Sequence, residues 1–253
     1  MTDGSQTLRA VDKTFSILEF LYENDGGRVT EIADALDLPP STVHTHLSTH
    51  EENQFVVTEG DVYHLGMDFL RFGNQVKYRK RAYSLAEDYL DDLAAGTDCR
   101  AVFLVEEHGY GVYVHERSGE HASWRHARAG QKEYLHVLAA GKAILAHLPT
   151  EAVESIVDRH GLAARTDRSI TDRTALLEEL ETVAERGVAF NRGENVERIA
   201  AIGAPVMDPE ERVVGAISLS GAANRLTEAR LEGELEDALL GAINELELEL
   251  SLT

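Results

Sequence analysis

Between Val29 and Val57 the chain reads VTEIADALDLPPSTVHTHLSTHEENQFVV, and this stretch leaves few folds open. Ile32, Ala33 and Leu36 have the spacing of a short helix's buried stripe, and Val43 and Leu47 begin a second. Asp37 stands between the stripes, where the chain must turn sharply. Asp tolerates the left-handed backbone region better than most residues, and Pro39 and Pro40 suit the first turn of a following helix. A turn of about three residues sets two helices at the steep angle of a helix-turn-helix. In that geometry the second helix offers its N-terminal residues to a DNA major groove, so Ser41, Thr42, His44, Thr45 and His46 are the candidate contacts. The same helix and proline turn occur in packed helical domains that touch no nucleic acid, so the flanking sequence has to decide.

Upstream, Val11, Phe15, Leu18 and Leu21 fall at steps of four, three and three, which predicts a helix with one buried face, ended by Asp25, Gly26 and Gly27. Downstream, Phe55 to Val57 turn through Glu59, Gly60 and Asp61 into Val62 to Leu65. Three helices and a hairpin make a winged helix-turn-helix over residues 1–66. A helical pattern then runs from Met67 to about Ala95, read as a linker helix over 67–84 with a break near Tyr83. The rest, 85–253, reads as a second domain. Its expected strands are RAVFLVEE, GVYVHER and ASWRHAR, then, after three helical stretches, AAIGAPVMD and RVVGAISLSG joined by a DPEE turn. A last helix from Thr227 to Leu250 keeps Leu231, Leu235, Leu239, Ala242, Leu246 and Leu250 on one side. The fold class is α+β with an antiparallel sheet.

Four strings carry a family resemblance. The PPSTVH turn and helix running into a hairpin with YHLG, together with LHVLAAGKAILAHLP, RGVAFNRGENVERIAAIGAPVMD and RVVGAISLSG, resemble the IclR family of transcriptional regulators in order and spacing, over nearly the whole chain. The resemblance implies a GAF-like effector-binding domain after the DNA-binding one, a small organic effector, a double-stranded DNA operator, and assembly as a homodimer or dimer of dimers. Carried over by motif, its pocket falls at Ala139 and Ala140, at Asn191 and Ala201, and at Ser218 and Ser220. Asn191 replaces an acid and Ala201 a cysteine, so no relative's effector transfers directly. The DNA-reading helix departs as well, with Thr45 where relatives often carry Arg, His50 in place of a Leu, and Gln54 in place of a Gly. Without Arg this helix lacks the bidentate contact to guanine and must rely on Ser, Thr, His or DNA shape.

The serines make sense on their own terms, because residues two apart on a strand share a face and buried hydroxyls need partners. A ligand carboxylate or hydroxyl supplies them; so do neighbouring strands or water. Arg125, in ASWRHAR, is the side chain whose fork best suits an anionic ligand, unless it simply faces solvent.

Charge raises an objection to DNA binding. The chain has 45 acidic and 24 basic residues, a net charge of −21, and only five lysines. Such a surface resembles proteins of salt-accumulating cells, where screening over about 3 Å at 1 M salt quenches self-repulsion. The objection weakens locally: Arg71, Lys77, Arg79, Lys80 and Arg81 occupy 71–84 without one acid among them. That run either approaches phosphates or pairs with acids of the second domain.

Other chemistry finds little footing. The single cysteine, Cys99, allows no internal disulfide and reads as packing. His115, His121, His126 and His136 lack metal-ligand spacing, and GxSxG, GxxxxGK[ST] and strand-borne GxGxxG are all missing. No cofactor, metal or catalytic residue is expected, nor any membrane segment or apolar leader, which places the protein in the cytoplasm. The reading is a ligand-responsive DNA-binding regulator. The alternative from another class is an enzyme or sensor that uses the second-domain pocket.

Overall fold

The computed structural model describes residues 7–120, 122 and 129–252. The chain divides into two compact units, up to Val76 and from Lys77 onward.

The first unit holds α1 (Arg9–Glu23), α2 (Val29–Leu36), α3 (Pro40–Glu52), the antiparallel strands β1 (Val56–Glu59) and β2 (Val62–Leu65), and α4 (Asp68–Lys77). Ile17, Leu21, Ile32, Ala33, Val43, Leu47 and Val56 close one small core. The expected stripe on α1 is half wrong. Val11 and Phe15 are 43% and 63% exposed, while Ile17 and Leu21 are buried. The helix carries two apolar stripes, and two short helices and a hairpin cover only one. The other, Leu8, Val11, Phe15 and Tyr22, faces outward, and Leu70, Phe72 and Val76 do the same on α4.

The linker helix is broken at Tyr78–Lys80, a few residues before the expected point, with α5 (Arg81–Thr97) beyond. The cause lies at Glu87. In an unbroken helix, residues 78 and 87 would stand about 13 Å apart along the axis. Instead the Tyr78 hydroxyl donates to Glu87 at 2.9 Å, Arg117 donates at 2.7 Å and Lys77 lies at 3.5 Å. Partial burial works to raise the Glu87 pKa, but the hydrogen bonds from Arg117 and Tyr78 and the electrostatic pull of His115 and Lys77 outweigh it and hold it at about 2. Burial, more than any other cause, pushes the pKa of His115, 3.5 Å away, below the ordinary value.

The second unit continues with β3 (Arg100–Glu107), β4 (Tyr110–Ser118), β5 (Lys132–Tyr134), α6 (Ala139–Leu145), α7 (Thr150–His160), α8 (Arg173–Arg186), β6 (Ala189–Arg192), β7 (Ile199–Met207) and β8 (Val213–Ala222). A closing helical stretch comprises α9 (Glu228–Arg230), a π-turn at Leu231–Leu235 and α10 (Glu236–Ser251). The sheet is antiparallel throughout, in the order β5-β4-β3-β8-β7-β6. Ala101, Phe103, Ile202, Ala204, Ile217 and Leu219 face α5 and α10, sharing a core with Leu90, Leu239 and Leu246. Val102, Leu104 and Ala216 face the other way, with Ile144 and Leu176. Both faces are covered, so the strands read as continuous apolar runs. Two expectations change. The four-residue β6 is an addition to the strands expected from the sequence, and most of ASWRHAR lies outside the described residues, while a short β5 pairs with the start of β4.

α6 lies on the sheet because its residues are small. A Cβ on Gly203 of β7 would come within 2.5 Å of the Ala140 amide nitrogen and 2.7 Å of the Ala139 carbonyl carbon. Gly203→Ala should therefore lower unfolding stability by roughly 1–3 kcal/mol. Gly221→Ala, on the neighbouring strand with its nearest contact at 3.4 Å, should stay within about 1 kcal/mol of wild type. Urea denaturation of both decides, and equal losses would refute the close-approach argument.

Glu87 gives a pH signature. A carboxylate with a depressed folded pKa stabilises the fold above its unfolded pKa and loses that contribution as pH falls through the folded one. Glu87→Gln should cost about 1–2 kcal/mol at pH 7, allowing for solvent screening, and the gap to wild type should close between about pH 5 and pH 2. A gap independent of pH, measured by thermal melts across that range, would rule this out.

Candidate functional site: a helix-turn-helix face and a cleft on the sheet

The helix-turn-helix is built as its residues dictate. Asp37 adopts the left-handed conformation (φ 50°, ψ 48°), Leu38 N–H bonds back to Ala33 at 3.0 Å, and Pro40 opens α3. With Val43 and Leu47 fully buried, Ser41, His44 and Thr45 face outward and Thr42 is half-buried. Thr45 donates to the Ser41 carbonyl at 2.8 Å, which steadies its hydroxyl against the helix. His46 turns inward, its Nδ1 2.9 Å from the Thr14 hydroxyl of α1. His50 takes the half-buried place of an aliphatic residue. Its Nε2 has no hydrogen-bond partner, and burial, then His46, pushes its pKa below the ordinary value.

Arginine in this unit is largely committed to carboxylates. Arg28 binds Asp61 at the hairpin turn (2.7 Å) and Glu31 (3.1 Å), and Arg71 binds Asp68 through both nitrogens of its fork (3.0 and 2.9 Å). Of the basic run, Lys77 pairs with Glu87 and Arg79 with Glu107 at 3.0 Å. These two side chains thus lie within ion-pair distance of second-domain acids. Lys80 sits over the Tyr83 ring, and neither it nor the exposed Arg81 has an ion pair among the described residues.

In the second unit a cleft opens between the sheet and α6, enclosing about 470 Å³ of empty space including its mouth. Strand register composes its floor. Arg100 of β3 pairs with Ser220 of β8, Ser220 with Ala201 of β7, and Ala201 with Asn191 of β6. One step along, Val102 pairs with Ser218 and Ser218 with Gly203. Ala139 and Ala140 form the opposite wall, and Asn195 and Val196 stand at the rim. Six of the seven effector residues expected from the sequence thus line one cavity: Ala139, Ala140, Asn191, Ala201, Ser218 and Ser220. The seventh, Arg125, lies outside the described residues, as do His121 and His126.

Asn191 is buried, and both polar atoms of its amide are hydrogen-bonded. Its Nδ2 donates to the Val137 carbonyl, and its Oδ1 accepts from the Gly193 and Glu194 amides at 2.9 and 3.1 Å. An ionised acid here would accept the two amides but could not donate to Val137, so the amide does structural work that the acid cannot. Ser220 is buried, with Oγ 3.5 Å from the Arg100 carbonyl, and Ser218 is half-buried. Next to the cleft, Lys142 is only 1% exposed and reaches both Glu179 (2.6 Å) and Glu194 (3.1 Å), tying α6 to α8 and to the rim loop.

Sequence reasoning missed Arg100, Tyr113, Leu138 and Ile199 as lining residues. For Arg100 a signal was present: it is the one basic residue in RAVFLVEE and shares the parity of Val102 and Leu104. The remaining polar candidates find packing roles. Cys99 is buried with its thiol pKa raised by burial, and His136 bonds to the Ala163 carbonyl at 3.1 Å. Among the described residues, no three His, Cys, Asp or Glu side chains gather as a metal site, and no helix is long and apolar enough to cross a membrane.

Comparison with known proteins agrees with both halves. The model of the IclR helix-turn-helix domain matches residues 10–60, and that of the bacterial transcriptional regulator IclR C-terminal domain matches 79–247. Over 247 residues the chain is 30% identical to the probable HTH-type transcriptional regulator ArcR of Halobacterium salinarum, covering 96% of this chain and 94% of that one. The crystal structure of Thermotoga maritima IclR superposes with a TM-score of 0.81 at 29% identity, over 96% of this chain and 99% of that one. An IclR homologue from Microbacterium hydrocarbonoxydans, complexed with 4-hydroxybenzoate, shares the fold at a TM-score of 0.84 and 19% identity, over 96% of this chain and 100% of that one. With family models matching both halves and a relative 30% identical over almost its whole length, this chain belongs to the IclR family of transcriptional regulators.

Proposed function

We propose that the protein is a homodimeric, cytoplasmic regulator that binds double-stranded operator DNA through α3 and changes its DNA affinity when a small organic acid enters the cleft. The observation that carries the reading is the convergence of Ala139, Ala140, Asn191, Ala201, Ser218 and Ser220, from four separate elements, on one cavity. On α3 the readers are Ser41, Thr42, His44 and Thr45, with His46 bracing the helix against Thr14. The outward apolar stripes, Leu8, Val11, Phe15 and Tyr22 on α1 and Leu70 and Val76 on α4, are what a second copy would cover. A two-fold dimer also suits a reader whose single helix spans one half-site.

The 4-hydroxybenzoate bound by the Microbacterium homologue supports an organic acid as the class of effector for this cleft as well. Against the enzyme alternative, the described lining supplies no carboxylate, histidine or thiol. Its titratable side chains are Arg100 and Tyr113, and burial raises the Tyr113 pKa, so neither serves as a base near neutrality.

Paired variants test both halves. Thr42→Ala with Thr45→Ala should abolish sequence-specific binding in gel shifts and leave the fold intact. Ser218→Val with Ser220→Val should leave DNA binding unchanged and weaken the effector more than tenfold by calorimetry, since each lost bond to a charged ligand is worth roughly 1.5–3 kcal/mol. Serine variants with undiminished effector affinity would put the ligand elsewhere.

A further inference from the structure

Arg100 is an unusual occupant of the cleft floor. It is 7% exposed, and its Nε and Nη2 donate to the two oxygens of Glu116 on β4 at 2.9 and 3.1 Å. The guanidinium also lies 5.3 Å from the Tyr113 ring centroid. Arg100 shares the lining of the cleft with the apolar Val102, Leu104, Leu138 and Ile199 and with the polar Asn191, Ser218 and Ser220. Taking two charges out of water is costly, and a buried ion pair is commonly no more stable than apolar residues of the same volume. The pair therefore gives the fold little that a Met and a Leu would not.

It gives the cleft a planar fork, and Glu116 fills that fork with a carboxylate in bidentate geometry. Ser220, the cross-strand neighbour of Arg100, and Ser218, opposite Val102, line the same cleft from the next strand. Glu116 also borders an open groove with Arg117 and Ser118, so a displaced side chain has room to leave.

We propose that Arg100, which lines the cleft, reads the carboxylate of the effector, and that Glu116 is an internal stand-in for it, holding the fork when no ligand is bound and giving it up when one binds. This rests on the cleft being the effector site. The exchange puts one carboxylate in place of another at the fork, which selects an acid with one carboxylate and an apolar body. A neutral amide cannot replace Glu116, because it brings no charge to the guanidinium.

Benzoate and benzamide, equal in shape and different in charge, are the probes, used on the full chain. Glu116→Gln should lower the melting temperature by roughly 5–10 °C. Benzoate should restore most of that loss and bind this variant at least tenfold more tightly than wild type; benzamide should do neither. In Arg100→Met with Glu116→Gln the benzoate effect should vanish. Should Glu116→Gln not fold alone, refolding with benzoate but not with benzamide supports the proposal equally. Equal action of the two probes, or a benzoate effect that survives in the double variant, overturns the proposal. The serine variants keep the two readings apart. If they lose the effector while benzoate leaves Glu116→Gln unmoved, the Arg100 assignment alone falls. If they respond normally, the cleft reading falls.

Discussion

The register of β8 between β3 and β7 is the constraint on which the second unit depends. Side chains alternate faces along a strand, so a slip of one residue would send Ser218 and Ser220 into the core under α5 and α10 and turn Ile217 and Leu219 into the cleft. Burial on both faces forbids that slip. Two hydroxyls at one parity and large aliphatics at the other make the two faces chemically distinct, and the same alternation on β3 sets Arg100 and Val102 beside the serines. The close approach of α6 follows from this register as well, since it requires Gly203 beneath Ala139 and Ala140. One wall, the floor and the chemistry of the cleft are consequences of one hydrogen-bonding pattern.

The first unit is simpler, because its function needs only that Val43 and Leu47 be buried. Once they are, Ser41, His44 and Thr45 must face outward. The acidity of this unit is managed locally by Arg28 and Arg71, each bound to carboxylates of its own unit. A surface built this way offers few mobile cations to DNA, and the repulsion between its acids and phosphate is screened only as salt rises.

How much of this can be read in the sequence depends on whether local or distant residues decide each point. The αL turn at Asp37, the stripe of the last helix and the paired serines are legible, because spacing alone determines them. The outward stripe of α1 is not, since Val11 and Phe15 look as buriable as Ile17 and Leu21 until the number of covering helices is known. Neither is the place of the linker break, set by Glu87 accepting from Tyr78 and from a β4 arginine 30 residues on. Arg100 is half legible: its strand parity can be read, but its partner Glu116 comes 16 residues later on a neighbouring strand. His46 reads as a DNA contact because nothing near it in the chain reveals Thr14, 32 residues upstream.

That a two-fold copy of this chain reads DNA through α3 is the claim on which the regulatory reading turns. Selection of bound fragments from the genome or from random DNA, run with the full-length protein in molar KCl, tests it. The expected result is enrichment of an inverted repeat whose half-sites are centred about one helical turn, or a whole number of turns, apart. Recovery of fragments with no shared sequence, or of a single unrepeated half-site, would contradict it.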